Sequence, residues 1–163
     1  MTTLNIKYFT LFFTLITLEI IASELAFETL GSINRGIYYG LISLNSIPFI
    51  LFLKKKKAFS IILFLVIGLI MIPKQLYLGI KLIALKEEGA NIVEFIYQHK
   101  KSKGYFPNDI TTYTFENPNL SQHFHYDKKT NQDDFSVLYY VGSKNTSHFY
   151  RHSDGNSWSY YPD

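Results

Sequence analysis

The sequence predicts a membrane protein of mixed class: an all-α N-terminal half of three transmembrane helices, then a small α+β domain. Three observations carry that expectation. Residues 1–73 hold long apolar runs broken by few charges. Lys54, Lys55, Lys56 and Lys57 stand together between two of those runs. Beyond residue 85 the apolar positions recur first at helical spacing and then at alternate positions.

The charge balance supports the division. From Lys74 onward there are ten basic and ten acidic residues, so the net charge of +3 resides wholly in the apolar half. A lysine cluster beside apolar segments sets membrane topology, and nucleic-acid binding is excluded on that ground. The chain has no cysteine, which rules out disulfides, thiolate metal sites and cysteine nucleophiles. Without such staples the second half must hold together through its own core. Seventeen Phe, Tyr and Trp residues between Tyr77 and Tyr161 supply large side chains for one.

The first span is expected over residues 8–30. A cleaved leader is the rival reading of its apolar run, but only Lys7 precedes the run, Glu19 follows it, and Ile20-Ile21-Ala22 is a poor cleavage site. The second span, residues 37–53, carries Ser43, Asn45, Ser46 and Pro48, which are expected to face neighbouring helices. The third runs over residues 58–85 as one helix kinked at Pro73. Membrane lipid is the partner these spans imply. The four lysines assign their loop to the cytoplasm. The N-terminus is then cytoplasmic and the C-terminal domain extracytoplasmic, in a multi-pass protein of the plasma or inner membrane.

Residues 86–163 form the second domain. Lys86-Glu87-Glu88-Gly89 reads as a polar break or soft hinge. Ala90, Val93, Ile96 and Tyr97, widened by Ile92, then mark an amphipathic helix. Lys100, Lys101 and Lys103 fill its last turn and Gly104 caps it, with Pro107 beyond. Short strands are expected at residues 111–116, 122–126, 135–141, 147–151 and 157–161, the last three as an antiparallel meander packed on that helix. Residues 127–134 read as a loop, 142–145 as a tight connection and Asp154-Gly155 as a hairpin turn.

The stretch Ala90-Asn91-Ile92-Val93-Glu94-Phe95-Ile96-Tyr97, the turn Gly104-Tyr105-Phe106-Pro107-Asn108-Asp109 and the late segment Gly155 to Tyr160 together resemble the globular part of type IV pilins and type II secretion pseudopilins. The resemblance covers about half of the chain. It implies a helix laid on a small antiparallel sheet and a role in the cell envelope. Two spans precede the corresponding helix here, and the prepilin-peptidase site of that family is missing, which argues against assembly into a fibre.

Candidate chemistry is sparse. Glu19 is the one acid expected deep in the bilayer, where its uses are an ion or proton site or a helix-packing hydrogen bond, with a place at the membrane interface as the third reading; Asn45 falls at similar depth. His123 and His125 alternate on an expected strand, and His148 and His152 lie near the final hairpin, so four imidazoles offer a weak metal site. The acids Asp127, Asp133 and Asp134 lack the spacing of a calcium loop. Ser153, His152 and Asp154 are adjacent and cannot form a catalytic triad. Tyr139, Tyr140, Tyr150, Tyr160 and Tyr161 exceed what one sheet face buries, and so suggest an aromatic binding surface, or packing on the membrane or on the other helices. These features point to a non-enzymatic protein without a cofactor, displaying a pilin-like domain for a protein or envelope partner. The alternatives are an accessory subunit of a transporter or channel, and a metal-binding envelope protein.

Overall fold

Three helical stretches, Ile6–Phe27, Arg35–Leu53 and Lys57–Lys103, are long and apolar enough to cross a membrane. They come from a computed structural model that describes residues 3–28, 32–129, 133–142, 146–155 and 157–162, and omits the side chains of 3–5, 146, 147 and 160–162. Residues 143–145 of the expected tight connection at 142–145 lie outside the described residues. Of the expected 127–134 loop, 130–132 lie outside them too, while 127–129 and 134 are strand, because the ladder pairs Lys129 with Asp134. The chain divides into two compact units, residues 1–27 with 33–80, and residues 28–32 with 81–163.

In the helical unit, α1 (Thr3–Phe27) carries large apolar side chains on its exposed positions as well as its buried ones, Phe9, Phe13, Leu18 and Ile21 among them. The second stretch is two helices, α2 (Arg35–Asn45) and α3 (Ile47–Leu53). The break follows from Pro48, which has no N–H to offer the Leu44 carbonyl; the Ser46 N–H turns back to Ser43 O at 3.2 Å instead. The third stretch is α4 (Lys57–Val66), a π-helical turn (Ile67–Met71) and α5 (Ile72–Lys103). Pro73 cannot donate to Leu69, and the wider turn directly before it absorbs the missing bond: Ile72 N–H reaches back to Ile67 O. Ala26, Phe27, Leu41 and Leu78 form the unit's buried cluster. A methyl group on Gly79 would meet the Phe27 ring at 3.3 Å, so that glycine permits close approach of α5 to α1.

Residues 81–103 of α5 belong to the second unit. The expected break at 86–89 is absent; the helix passes through Gly89 unbroken to Lys103. Lys and Glu are good helix formers, and Gly89 serves packing rather than bending. A methyl group there would sit 3.1 Å from the Trp158 ring and 3.4 Å from Tyr139. The helix ends at Gly104, whose φ of +85° is the left-handed cap the sequence predicts. Its buried line is Leu82, Leu85, Ile92 and Ile96, at spacings of three, four and seven residues. Ala90, expected on that face, is exposed.

This line lies on one face of a four-stranded antiparallel meander, β1 (Phe124–Lys129), β2 (Asp134–Tyr140), β3 (Thr146–Arg151) and β4 (Trp158–Pro162), in sequence order. Register places Phe124 opposite Tyr139, Tyr126 opposite Val137, Val137 opposite Tyr150 and Tyr150 opposite Trp158. These residues share the inner face. Ile92, Ile96, Phe106, Phe135, Val137 and Tyr150 make one core cluster, and Leu82, Leu85, Leu120, Tyr139 and Val141 a second. The expected strand at 111–116 does not form. Buried Glu88 on α5 accepts from the Tyr113 hydroxyl at 2.6 Å and from Glu116 N–H at 3.3 Å. Asn91 adds a side-chain bond to Glu116, and the Tyr113 ring packs on Phe95 with centroids 5.4 Å apart. These contacts hold the segment on the helix rather than in the sheet. A 3₁₀ turn at Pro118–His123 then delays the first strand to residue 124.

Candidate functional site

Two places gather polar or partly exposed groups in a pattern that needs explaining. The first is inside the helical unit. Glu19 on α1 is only 1% exposed. Gln75 on α5, two residues beyond Pro73, donates its amide N–H to Glu19 Oε2 at 2.9 Å. Asn45, the last residue of α2, donates to Gln75 Oε1 at 3.0 Å. The two amides therefore line up head to tail, with both N–H groups directed towards the carboxylate, joining α1, α2 and α5. Glu19 Oε1 and Asn45 Oδ1 are buried and have no hydrogen-bond partner among the described residues. One turn along α1, the Ser23 hydroxyl donates to the Glu19 main-chain carbonyl at 2.6 Å.

Glu19 and Asn45 stood out in the sequence because an acid and an amide interrupt apolar runs. Gln75 was missed, since next to Lys74 and Pro73 it reads as part of a helix boundary. Of Ser43, Asn45, Ser46 and Pro48, all expected to face neighbouring helices, Asn45 and Pro48 do and the two serines do not. Ser43 and Ser46 are exposed, each hydroxyl folded back on its own helix to Tyr39 O at 3.0 Å and Ile42 O at 2.9 Å. Pro48 is buried, and its carbonyl accepts from Ser60 Oγ at 2.6 Å. Lys54 to Lys56 occupy the turn between α3 and α4 and Lys57 opens α4, with Lys55 in the left-handed region at φ 62°.

The second place is the outer face of the meander. Of the five tyrosines expected on a binding surface, Tyr139 and Tyr150 do not lie there. Tyr139 and Tyr150 are 1% and 4% exposed and belong to the core, because register puts them on the same face as Val137. Tyr140 lies on the other face, half-buried. The side chains of Tyr160 and Tyr161 lie outside the described residues. The outer row instead runs from His125 to Leu138, Phe149 and Ser159, one position from each strand. His125 is exposed and the other three are half-buried, with the Arg151 guanidinium 5.8 Å from the Phe149 ring centre. Leu138 and Phe149 could have been found from sequence, since each is out of phase with the buried alternation on its strand.

The four histidines are not brought together. Tyr97 OH bonds His152 Nδ1 at 2.7 Å and Tyr150 OH at 3.0 Å, while Tyr139 OH bonds His148 Nδ1 at 3.1 Å. Both imidazoles are thus tied to core tyrosines, and His152 also stacks on Phe135. His123 ends the 3₁₀ turn rather than alternating with His125 on a strand; burial and the nearby Lys81 lower its pKa. Among the described residues no three His, Asp or Glu side chains gather as a metal site.

Asp134 is a structural anchor. It accepts from Ser153 N–H at 3.0 Å, from Ser153 Oγ at 3.1 Å and from Phe135 N–H at 3.0 Å, with Lys129 at 3.6 Å. Burial alone would raise its pKa, but the three donors and the lysine together hold it below the usual carboxylate value.

These features define a two-unit chain of apolar helices and an aromatic α+β unit. No protein-family model, curated protein or solved structure matches it.

Proposed function

We propose that the chain is a multi-pass protein of the plasma or inner membrane that holds its α+β unit on the extracytoplasmic side, where the unit binds a protein or envelope partner. The observation that carries this reading is the surface of the helical unit. Phe9, Phe13, Phe49, Leu65, Leu69 and Leu76 are all more than half exposed, a surface suited to lipid and unsuited to water. The hydroxyls of Thr10, Ser43 and Ser46 are satisfied by carbonyls one turn back, which removes their need for solvent.

The lysines 54–57 favour a cytoplasmic turn, with the C-terminal unit opposite. Helix residues 90–97 laid on an antiparallel meander fit the likeness to pilin globular domains. In this reading the partner meets the outer row of Leu138, Phe149 and His125. A second reading, an accessory subunit of a transporter or channel, draws on the Glu19–Gln75–Asn45 bridge.

The test has two parts. Membranes washed at alkaline pH should retain the protein; release into the supernatant would overturn the membrane reading. A photo-crosslinking residue at position 138 in intact cells should give a discrete adduct that one at exposed Thr111 does not. Identical patterns from both positions would overturn the binding face.

A further inference from the structure

We propose that Glu19 is the binding point of a hard monovalent cation, a proton or an alkali-metal ion, held where α2 and the third helical stretch both depart from regular α-helix. The inference rests on the membrane reading and goes beyond it.

The argument begins with the charges. The helical unit contains Lys7, Glu19 and Glu24 on α1, Arg35 on α2, Lys54 to Lys57 at the α3–α4 turn and α4 start, and Lys74 on α5. Lys74, next to Gln75, pairs with Glu24 at 3.1 Å. Glu19 has no ion pair among the described residues, and its hydrogen-bonding partner is a neutral amide. A carboxylate removed from water without a compensating positive charge is strongly disfavoured. A bound cation, whether proton or metal ion, removes that conflict.

The donor set favours the same conclusion. Two aligned amides place their N–H ends towards Glu19 Oε2, an arrangement that supports negative charge on the carboxylate. The remaining oxygen, Oε1, is buried and unpartnered. A carboxylate oxygen is what a hard cation takes as a ligand, and Oε1 is left for it, whereas the Gln75 amide oxygen is already engaged by Asn45.

The backbone adds an independent observation. Asn45 ends α2 at the break caused by Pro48, and Gln75 follows the π turn and Pro73. Two of the three helical stretches therefore lose regular geometry beside the bridge. A helix C-terminus such as that at Asn45 carries partial negative charge, which attracts cations. Interrupted helices supply cation sites in membrane transport proteins by this physics. A bridge built solely for packing does not require the idle carboxylate oxygen.

The experiment uses the full chain in lipid nanodiscs and infrared difference spectroscopy of its carboxyl bands. One arm exchanges choline for sodium at fixed ionic strength and pH; the other steps the pH in choline alone. An alkali-ion site gives a saturable carboxylate difference on sodium exchange that Glu19→Gln lacks. A proton site gives no sodium response, and a carboxyl band that appears on the pH steps in the native chain but not in Glu19→Gln. Superimposable spectra of native protein and Glu19→Gln in both arms would overturn the proposal and leave Glu19 a packing group. Should Glu19→Gln fail to insert, Asn45→Leu decides: loss of the relay should shift the sodium or pH midpoint about tenfold. An unchanged midpoint would overturn the site. Alkaline extraction of the same preparation separates failure of this inference from failure of the membrane reading.

Discussion

Glu19 and Glu88 are both buried carboxylates on helices of one chain, yet the two units treat them differently. Glu88, in the α+β unit, receives a hydroxyl and a backbone N–H, and in return fixes the 113–116 segment on α5. Glu19, in the helical unit, receives one amide N–H and keeps an oxygen unpartnered. A unit with loops and a sheet has spare backbone donors to satisfy an acid. Helices consume their own N–H groups, so an acid between them depends on side chains or on something bound.

The largest way to sharpen that contrast is in the α+β core. Phe135 is wholly buried against Phe106 and Tyr150, and Phe135→Ala should destabilise this unit by about 3–5 kcal/mol. Trp158, the sole tryptophan, lies 5.2 Å from Tyr139 and reports the loss through its fluorescence on denaturant titration. A loss below about 1 kcal/mol would mean that this unit is not held by its own core.

Glu88→Ala should cost about 1–3 kcal/mol, because it leaves the Tyr113 hydroxyl and Glu116 N–H without their acceptor. Increased hydrogen exchange confined to residues 111–117 is the accompanying sign. A stability unchanged within error would show that the carboxylate does not anchor the segment.

Two glycines extend the comparison. Gly89→Val should lower stability by about 1–3 kcal/mol, since Trp158 stands where the new side chain must go. Gly68→Ala, in the helical unit, meets nothing within 4 Å and should change stability by less than about 1 kcal/mol, in the favourable direction. Equal losses would remove the distinction between a packed and an open glycine.

The smallest expected effect is on pH dependence. The folded-state pKa of Asp134 lies below the ordinary value of about 3.9, so its contribution is fully present above that value. It is lost as pH falls through the ordinary value towards the folded one, because the unfolded chain then binds more protons. The α+β unit should therefore weaken below about pH 5, and Asp134→Asn should flatten that acid limb. An unaltered limb would place the acid sensitivity elsewhere.

The helical stretches, the Gly104 cap and the final three strands were legible because period, cap and turn residues agree in each. The 111–116 segment was not. Thr, Tyr and Phe favour a strand locally, but the deciding residue, Glu88, lies 25 positions away and looks solvent-facing in sequence. The same applies to Gly89, whose reason is Trp158 across the fold. At the bridge, Glu19 and Asn45 were visible as polar residues in apolar runs, whereas Gln75 was hidden by its neighbours Pro73 and Lys74. Tyr139 and Tyr150 were misplaced on the surface because strand alternation turns them inward; their register depends on pairing, which spacing alone leaves open.

The central claim is that the apolar helices span a membrane and place the α+β unit opposite the lysine turn. With no native cysteine to interfere, Lys101→Cys and Lys56→Cys can be labelled separately in intact cells by a membrane-impermeant maleimide. Both positions are exposed. The account predicts that Cys at position 101 reacts before lysis and Cys at position 56 only after it. Reaction at 56 alone in intact cells, or equal protection of both, would contradict it.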